Sequence, residues 1–380
     1  MRAYLDNNAT TPLAPEVRTR LLDVLDVGPL NPGSTHAAGR IAKQLLLDAT
    51  NELAQALGLE SRKVIFCGSA SEAINLAIRG CLATTPQGHK HKVVTSSIEH
   101  PAVANTINAC GEALSFQINR DGTLDSAGLK EALAEACLCA VMFANNETGV
   151  LLPVEEIADA CREAGVPLLV DCCQAPGKAP FFDAIKRIDP DYLAISGHKV
   201  HAPVGIAALV MKERAKLATC TTGGGQQHGL RAGTEPVALA SALARAMTLA
   251  RQHDADLSGL VSKVEQLWRA IQEVAPNAER TVPDCGKSLC NTLHYRIPGL
   301  AAERQIIAFD VAGVECSASS ACSSGSLQPS KAMMGMGFGM FESMQGIRMS
   351  VTRYTSDEEV SFACSVIQEV LGRLMRDQAA

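Results

Sequence analysis

Short runs of apolar, often β-branched residues alternate with stretches of helical period through the first half of the chain. Residues 63–67 (KVIFC) predict a buried strand, and 71–81 the helix after it. The pair recurs as 92–96 then 102–110, and as 140–144 then 153–164, with a further strand at 167–171. Residues 192–196 and 206–210 predict two more strands. Strands that are apolar throughout and separated by helices build a mainly parallel sheet covered on both faces, so the predicted fold class is α/β. Such sheets bind ligands at the carboxyl ends of their strands, and the residues just after each strand carry the candidate chemistry.

Downstream the rhythm changes. A long helical pattern covers 236–275, with a break near 254–259. There follow a strand at 291–296, a helix at 302–310, a strand at 313–316 and a Ser/Gly/Ala-rich loop at 317–326. A strand at 347–351 and a closing helix at 357–375 end the chain. This pattern predicts a large domain over 15–258 and a smaller α+β domain made of 1–14 and 259–380.

The 380 residues suffice for two or three domains at about 100–200 residues each. With 47% hydrophobic and 19% charged residues, there is material for a core and no case for disorder. Lys+Arg total 34 against 40 Asp+Glu, a net charge of −6. That balance argues against a nucleic-acid binder and against a polybasic membrane-surface protein. No apolar run reaches the length of a membrane span, and the opening Met-Arg-Ala-Tyr-Leu-Asp-Asn-Asn has no signal-peptide core. A cytoplasmic protein is therefore expected. The 14 cysteines include no Cys-x-x-Cys pair, and the close pairs Cys137/Cys139 and Cys172/Cys173 have no zinc-site spacing. They are expected to be reduced thiols, mostly small buried hydrophobes, with no metal site.

Five strand ends hold candidate chemistry. Asp171 closes the strand 167–171, where a carboxylate either bonds a protonated cofactor ring nitrogen or simply caps a turn. Ser196-Gly197-His198-Lys199 follows the strand 192–196. A lysine there is either a surface residue or a partly desolvated amine nucleophile, with Ser196 and His198 as anion donors beside it. An Asp and a Lys on neighbouring strand ends form the pair that holds pyridoxal 5′-phosphate. Gly68-Ser69-Ala70-Ser71 opens a helix, where backbone N–H groups and the Ser71 hydroxyl suit a phosphate, or Ser71 is an ordinary N-cap. His100 either stacks on a ring and shuttles a proton or caps its helix, and Asn145-Asn146-Glu147-Thr148-Gly149 is a polar turn. Cys322 sits in the loop 317–326, which has little to bury and is expected to be mobile. It is either a reactive exposed thiol or an incidental one.

In order along the chain, these motifs resemble the cysteine desulfurases, closest to their nitrogen-fixation and iron–sulfur-cluster branch. Those are pyridoxal-phosphate enzymes of the fold-type-I, class-V aminotransferase family. The resemblance covers almost the whole chain. It is carried by Tyr4-Leu5-Asp6-Asn7-Asn8-Ala9-Thr10-Thr11, Asn31-Pro32-Gly33-Ser34-Thr35-His36 and Glu99-His100-Pro101-Ala102-Val103. It continues through the Asn145 turn, Ser196-Gly197-His198-Lys199, Gly223-Gly224-Gly225-Gln226 and Arg231-Ala232-Gly233-Thr234. Ala321-Cys322-Ser323-Ser324-Gly325-Ser326-Leu327 and Ile347-Arg348-Met349-Ser350 complete it.

The resemblance implies the pyridoxal-phosphate transferase fold type I, with a mainly parallel seven-stranded sheet in the large domain. It also implies removal of sulfur from L-cysteine, giving L-alanine and a persulfide on Cys322, the sulfur passing to an acceptor or scaffold protein in iron–sulfur assembly. Lys199 would form the Schiff base, Asp171 pair with the pyridinium, Gln174 donate to the ring hydroxyl and His100 stack on the ring and serve in proton transfer. Ala70, Ser71, Ser196 and His198 would hold the phosphate, joined by Thr234 from a second subunit of a homodimer. Arg348, Asn146 and Asn31 would take the substrate, and Cys322 would be the one residue to touch a nascent cluster.

The sequence departs from the family pattern in details. Ser71 stands for a usual Thr, Gly68-Ser69-Ala70 for a Ser-Gly-Ala order, Ser317-Ala318-Ser319-Ser320-Ala321-Cys322 for a Ser-Ser-Gly-Ser-Ala-Cys order that has its Gly at position 319, and Gln328 for a Glu. Selenocysteine lyase or another class-V aminotransferase keeps the fold with different chemistry, although an aminotransferase leaves Cys322 unexplained. A catalytically silent iron–sulfur scaffold would have no need of Asp171, Lys199, His100 and Cys322 together.

Overall fold

The computed structural model describes residues 1–59, 62–86, 91–283, 285–318 and 328–379. Its centre is a seven-stranded sheet in the order Arg62–Cys67, Ala207–Lys212, Tyr192–Ser196, Leu168–Asp171, Leu138–Met142, Lys92–Ser96, Glu112–Phe116. The last five run parallel, while Ala207–Lys212 runs antiparallel to both its neighbours. Only seven residues separate Lys199 from Ala207. That is too short for a helical crossover, so the chain turns back as an antiparallel strand. The mainly parallel seven-stranded sheet agrees with the expected fold.

The continuous apolar runs have the expected cause. Val64, Phe66, Leu193 and Ile195 pack into one core, while Ile65, Cys67, Tyr192 and Ala194 pack into another on the opposite face. Alternate residues of a strand point to opposite faces, so burial on both sides demands apolar residues throughout. One expected strand shifts, and one strand is found that the pattern did not predict. The strand expected at 140–144 lies at Leu138–Met142, because Ala144 bridges back to Leu151 and Asn145 N–H bonds Val150 O instead of continuing the ladder. Glu112–Phe116 is an edge strand whose exposed, polar side gave no apolar signal. The helices Pro15–Asp26 and Ala37–Leu57, which the apolar pattern left unassigned, pack against the helix Val237–Asp254.

A second, antiparallel sheet orders Ser317–Ala318, Ile347–Ser350, Thr292–Arg296 and Glu279–Arg280. The start of the chain joins this part: Ala3–Tyr4 pairs parallel with Val314–Glu315, and Asp6 bridges to Ser350. Ala3 and Leu5 lie in the core formed by residues 260–374, whereas Ala14 and Val17 lie in the core of the large sheet. Among the described residues no helix is long and apolar enough to cross a membrane.

Candidate active site

Cys67, Ser96, Met142, Asp171 and Ser196 end their strands along one edge of the large sheet. A cleft of ≈ 250 Å³ lies there. It is lined by Ala70, Ser71, His100, Asn146, Asp171, Gln174, Ser196, His198 and Lys199, all singled out above from the sequence.

The helix Ala70–Ala83 points its N-terminus into this cleft. Its cap is Ser69, not Ser71: the Ser69 hydroxyl accepts the Glu72 N–H at 3.1 Å. Glu72 reaches back one residue further than in the usual capping box and accepts the Gly68 N–H at 2.6 Å. A second Glu72 oxygen is held by Arg231 at 2.7 Å. Ser71 is thereby spared from capping, and the first-turn N–H groups of Ala70 and Ser71 have no intrahelical acceptor. Free donors on a helix N-terminus make an anion seat.

Lys199 projects from a 3-10 turn, Gly197–Lys199, that begins where the strand ends. Gly197 is needed there: a Cβ would sit 2.8 Å from the Ile206 carbonyl oxygen. The Lys199 amine donates to Asn8 O and, at 2.6 Å, to Ala9 O. Burial pushes it down to about 8, against the opposing pull of Cys173, Asp6 and Asp171. Asp171 is buried, and its Oδ1 accepts the Cys173 N–H at 3.0 Å. Burial and the Lys199 charge push His198 down to about 4, so it is neutral at physiological pH.

His100 accepts the Ala102 N–H on Nδ1 at 3.0 Å, so it caps its helix and lines the cleft at once. Burial lowers its pKa, with Asp171 opposing. Accepting on Nδ1 puts the proton of the neutral ring on Nε2. Next to it in the chain is Glu99, half-buried as a residue, whose carboxyl is pushed up to about 8 by desolvation. One Glu99 oxygen accepts from Ser96 Oγ and Met142 N–H, and the other has no protein partner among the described residues.

The turn carrying Asn146 is built by Asn145, whose Oδ1 accepts the N–H groups of Glu147 and Thr148, both at 2.9 Å. Gly149 closes it at φ +77°, where a Cβ would meet Thr292 at 3.1 Å. Arg348 does not line the cleft. It is buried behind this turn, donating to Asn146 O at 2.9 Å and paired with Asp6 at 2.5 Å. Its Nε is buried with no partner among the described residues, a donor left for an anion. Asn31 and Thr234 are exposed and outside the cleft; Asn31 Oδ1 accepts the Gly33 N–H at 2.9 Å. Cys322 lies outside the described residues.

Four further residues belong to the site. Ser69 and Cys173 line the cleft. Burial and then Asp171 hold the Cys173 thiol well above its usual range, which keeps it protonated. Asn8 and Lys178 form the floor described below. Only Ser69 had a local signal, the Ser-x-x-Glu spacing to Glu72.

Comparison with known proteins agrees with this geometry. The model of the class-V aminotransferase family matches residues 3–362. "Cysteine desulfurase 2" of Trichormus variabilis is 33% identical over 376 residues, covering 98% of this chain and 93% of that protein. The solved structure of a NifS-like protein superposes with a TM-score of 0.89 at 26% identity, covering 98% of this chain and all of that one. A structure titled "SspA in complex with cysteine" does so with a TM-score of 0.79 at 26% identity, covering 93% of this chain and all of that one. The chain thus belongs to the class-V aminotransferase family, and within it to the cysteine desulfurases.

Proposed function

We propose that the protein uses pyridoxal 5′-phosphate to take sulfur from L-cysteine, releasing L-alanine and leaving a persulfide on Cys322. The single observation that carries this reading is the convergence of Lys199, Asp171 and a helix N-terminus on one cleft. A desolvated amine, a buried carboxylate and unpaired N–H groups fit the aldehyde, ring nitrogen and phosphate of that cofactor. Once bound, the cofactor would act as an electron sink for charge developing on the substrate α-carbon.

The chain's own groups do the rest. Ala70, Ser71, Ser196 and neutral His198 would hold the phosphate, and Asp171 would keep the ring nitrogen protonated. The Lys199 amine would hold the aldehyde and, as a neutral base, would move the substrate α-proton. Asn146, which lines the cleft, and Arg348, which holds the Asn146 carbonyl from behind, would take the substrate carboxylate, for which a guanidinium fork is suited. His100 draws the proton from a thiol. The Cys322 thiolate then attacks the substrate sulfur: an S–S bond forms, the substrate C–S bond breaks, and its electron pair stays with the alanine fragment.

The reading extends to a cytoplasmic homodimer that passes sulfur to an iron–sulfur scaffold. Supporting it, Thr234 lies outside its own chain's cleft, and Leu22, Leu25, Ile41 and Leu47 are exposed apolar side chains on the first two helices. The described cysteines are free thiols, as in a reducing compartment.

An absorbance spectrum before and after L-cysteine, with alanine and sulfide assayed, tests the reading. A yellow protein whose spectrum shifts on cysteine and which yields alanine is expected; a protein that pyridoxal phosphate cannot colour overturns it. A second result follows from the Lys199 amine, pushed down to about 8. The neutral amine is the reactive form. Capture of pyridoxal phosphate by cofactor-free protein should therefore speed up as pH rises through about 8 and level off above it. Stopped-flow traces still climbing steeply between about pH 9 and 10.5, as for an ordinary lysine, would count against it.

A further inference from the structure

Beneath the cleft, Asn8 is the hub of a buried hydrogen-bond network. Its carbonyl oxygen accepts from the Gln174 amide at 2.9 Å and from Lys199. Its side-chain oxygen accepts from Lys178 at 3.4 Å and from Asn291 at 3.2 Å. Lys178 is buried, and its amine also donates to Gln174 Oε1 at 2.9 Å. Burial drives its pKa well down, with Lys199 and Arg348 adding to the effect and Cys173 opposing it. An amine in this state still donates hydrogen bonds, charged or not.

The two contacts fix which way the Gln174 carboxamide faces. Turned over, it would set its oxygen against Asn8 O, an acceptor on an acceptor, and would give up the bond that its oxygen accepts from the Lys178 amine. As placed, the oxygen goes to Lys178 and one N–H to Asn8. The second N–H is then the group that Gln174, a cleft-lining residue, offers to the cavity.

We propose that Lys178 is a positioning residue, which locks the Gln174 carboxamide so that it presents a donor, not an acceptor, to a cofactor phenolate oxygen. The inference rests on the pyridoxal-phosphate reading above and deepens it.

A double-mutant cycle tests it, using Lys178→Met, Gln174→Ala and the pair on the full-length protein. The readouts are the dissociation constant of pyridoxal phosphate and the absorbance maximum at fixed pH. Lys178→Met is expected to weaken cofactor binding about 10-fold, one hydrogen bond's worth, and to displace the absorbance maximum. In the Gln174→Ala background it should change neither readout further.

Two results overturn the proposal. One is a Lys178→Met protein with the wild-type spectrum and affinity while Gln174→Ala alters both. The other is an equal effect of Lys178→Met in both backgrounds, which would mean that its charge acts directly on Lys199. Should Lys178→Met fail to fold, Lys178→Gln keeps a donor and is expected to restore the wild-type absorbance maximum, and a displaced maximum there counts against the proposal. Wild-type protein that never binds the cofactor would instead sink the functional reading, which separates the two failures.

Discussion

Lys199→Ala protein is expected to lose the visible absorbance of the loaded enzyme and at least about 10⁴-fold in alanine release, the upper end of what a positioned acid–base group contributes. The Lys199 amine is held by the carbonyls of Asn8 and Ala9 at the end of a short turn and is pushed down to about 8. No other lysine lines the cleft among the described residues. Asp171 and the helix N-terminus remain in the variant, so it should still take up the cofactor reversibly. Dialysis should then remove it, and added methylamine should restore part of the turnover. Thermal unfolding should change little, because the alanine removes a partly desolvated amine rather than a core side chain. A Lys199→Ala protein that stays yellow through dialysis and releases alanine normally would overturn the assignment.

Cys322→Ala is expected to separate binding from sulfur removal. The variant should bind pyridoxal phosphate and show the spectral response to L-cysteine, yet release alanine only at assay background. The described thiols offer no substitute. Cys173 is the one that lines the cleft, and burial beside Asp171 keeps it protonated. Cys220, the exposed one, does not line the cleft. Mass spectrometry of the wild-type protein after L-cysteine should find one added sulfur on the peptide containing Cys322 and none on that containing Cys173. Normal turnover by Cys322→Ala, or the label on Cys173, would remove Cys322 from the mechanism.

Much of this was legible in the sequence because the physics is local. KVIFC and YLAIS are apolar at every position since both faces of their strands are covered, so the strand ends, and with them Asp171 and Lys199, could be located by reading. Three things were not legible. The reversal of Ala207–Lys212 depends on connection length rather than pattern. The edge strand Glu112–Phe116 buries too little to show a period. The role of Asn8 rests on contacts 166 and 191 residues apart in sequence, in which its backbone carbonyl is the acceptor, and that of Lys178 on a Gln174 whose placement depends on the first of them. A carbonyl has no residue type, so no motif announces it. Nothing local marks Glu99 either, because its distinction is a desolvated carboxyl near Asp171 with one oxygen unsatisfied among the described residues.

The Asn8 network also sets an order of events during synthesis. The carbonyl that receives Lys199 and Gln174 belongs to the eighth residue, whose own N–H is held by Ser350 Oγ at 2.9 Å, while Asn7 bonds the Ser350 carbonyl at 2.7 Å. The segment around Asn8 thus waits for the segment around Ser350, more than 340 residues later, before it is fixed. A chain still being translated can form the strands of the large sheet, yet lacks the floor of the cleft until residue 350 has emerged. Cofactor capture in the finished geometry therefore requires the strand Ile347–Ser350, and a chain cut before it carries Lys199 without the support that holds its Asn8 acceptor in place.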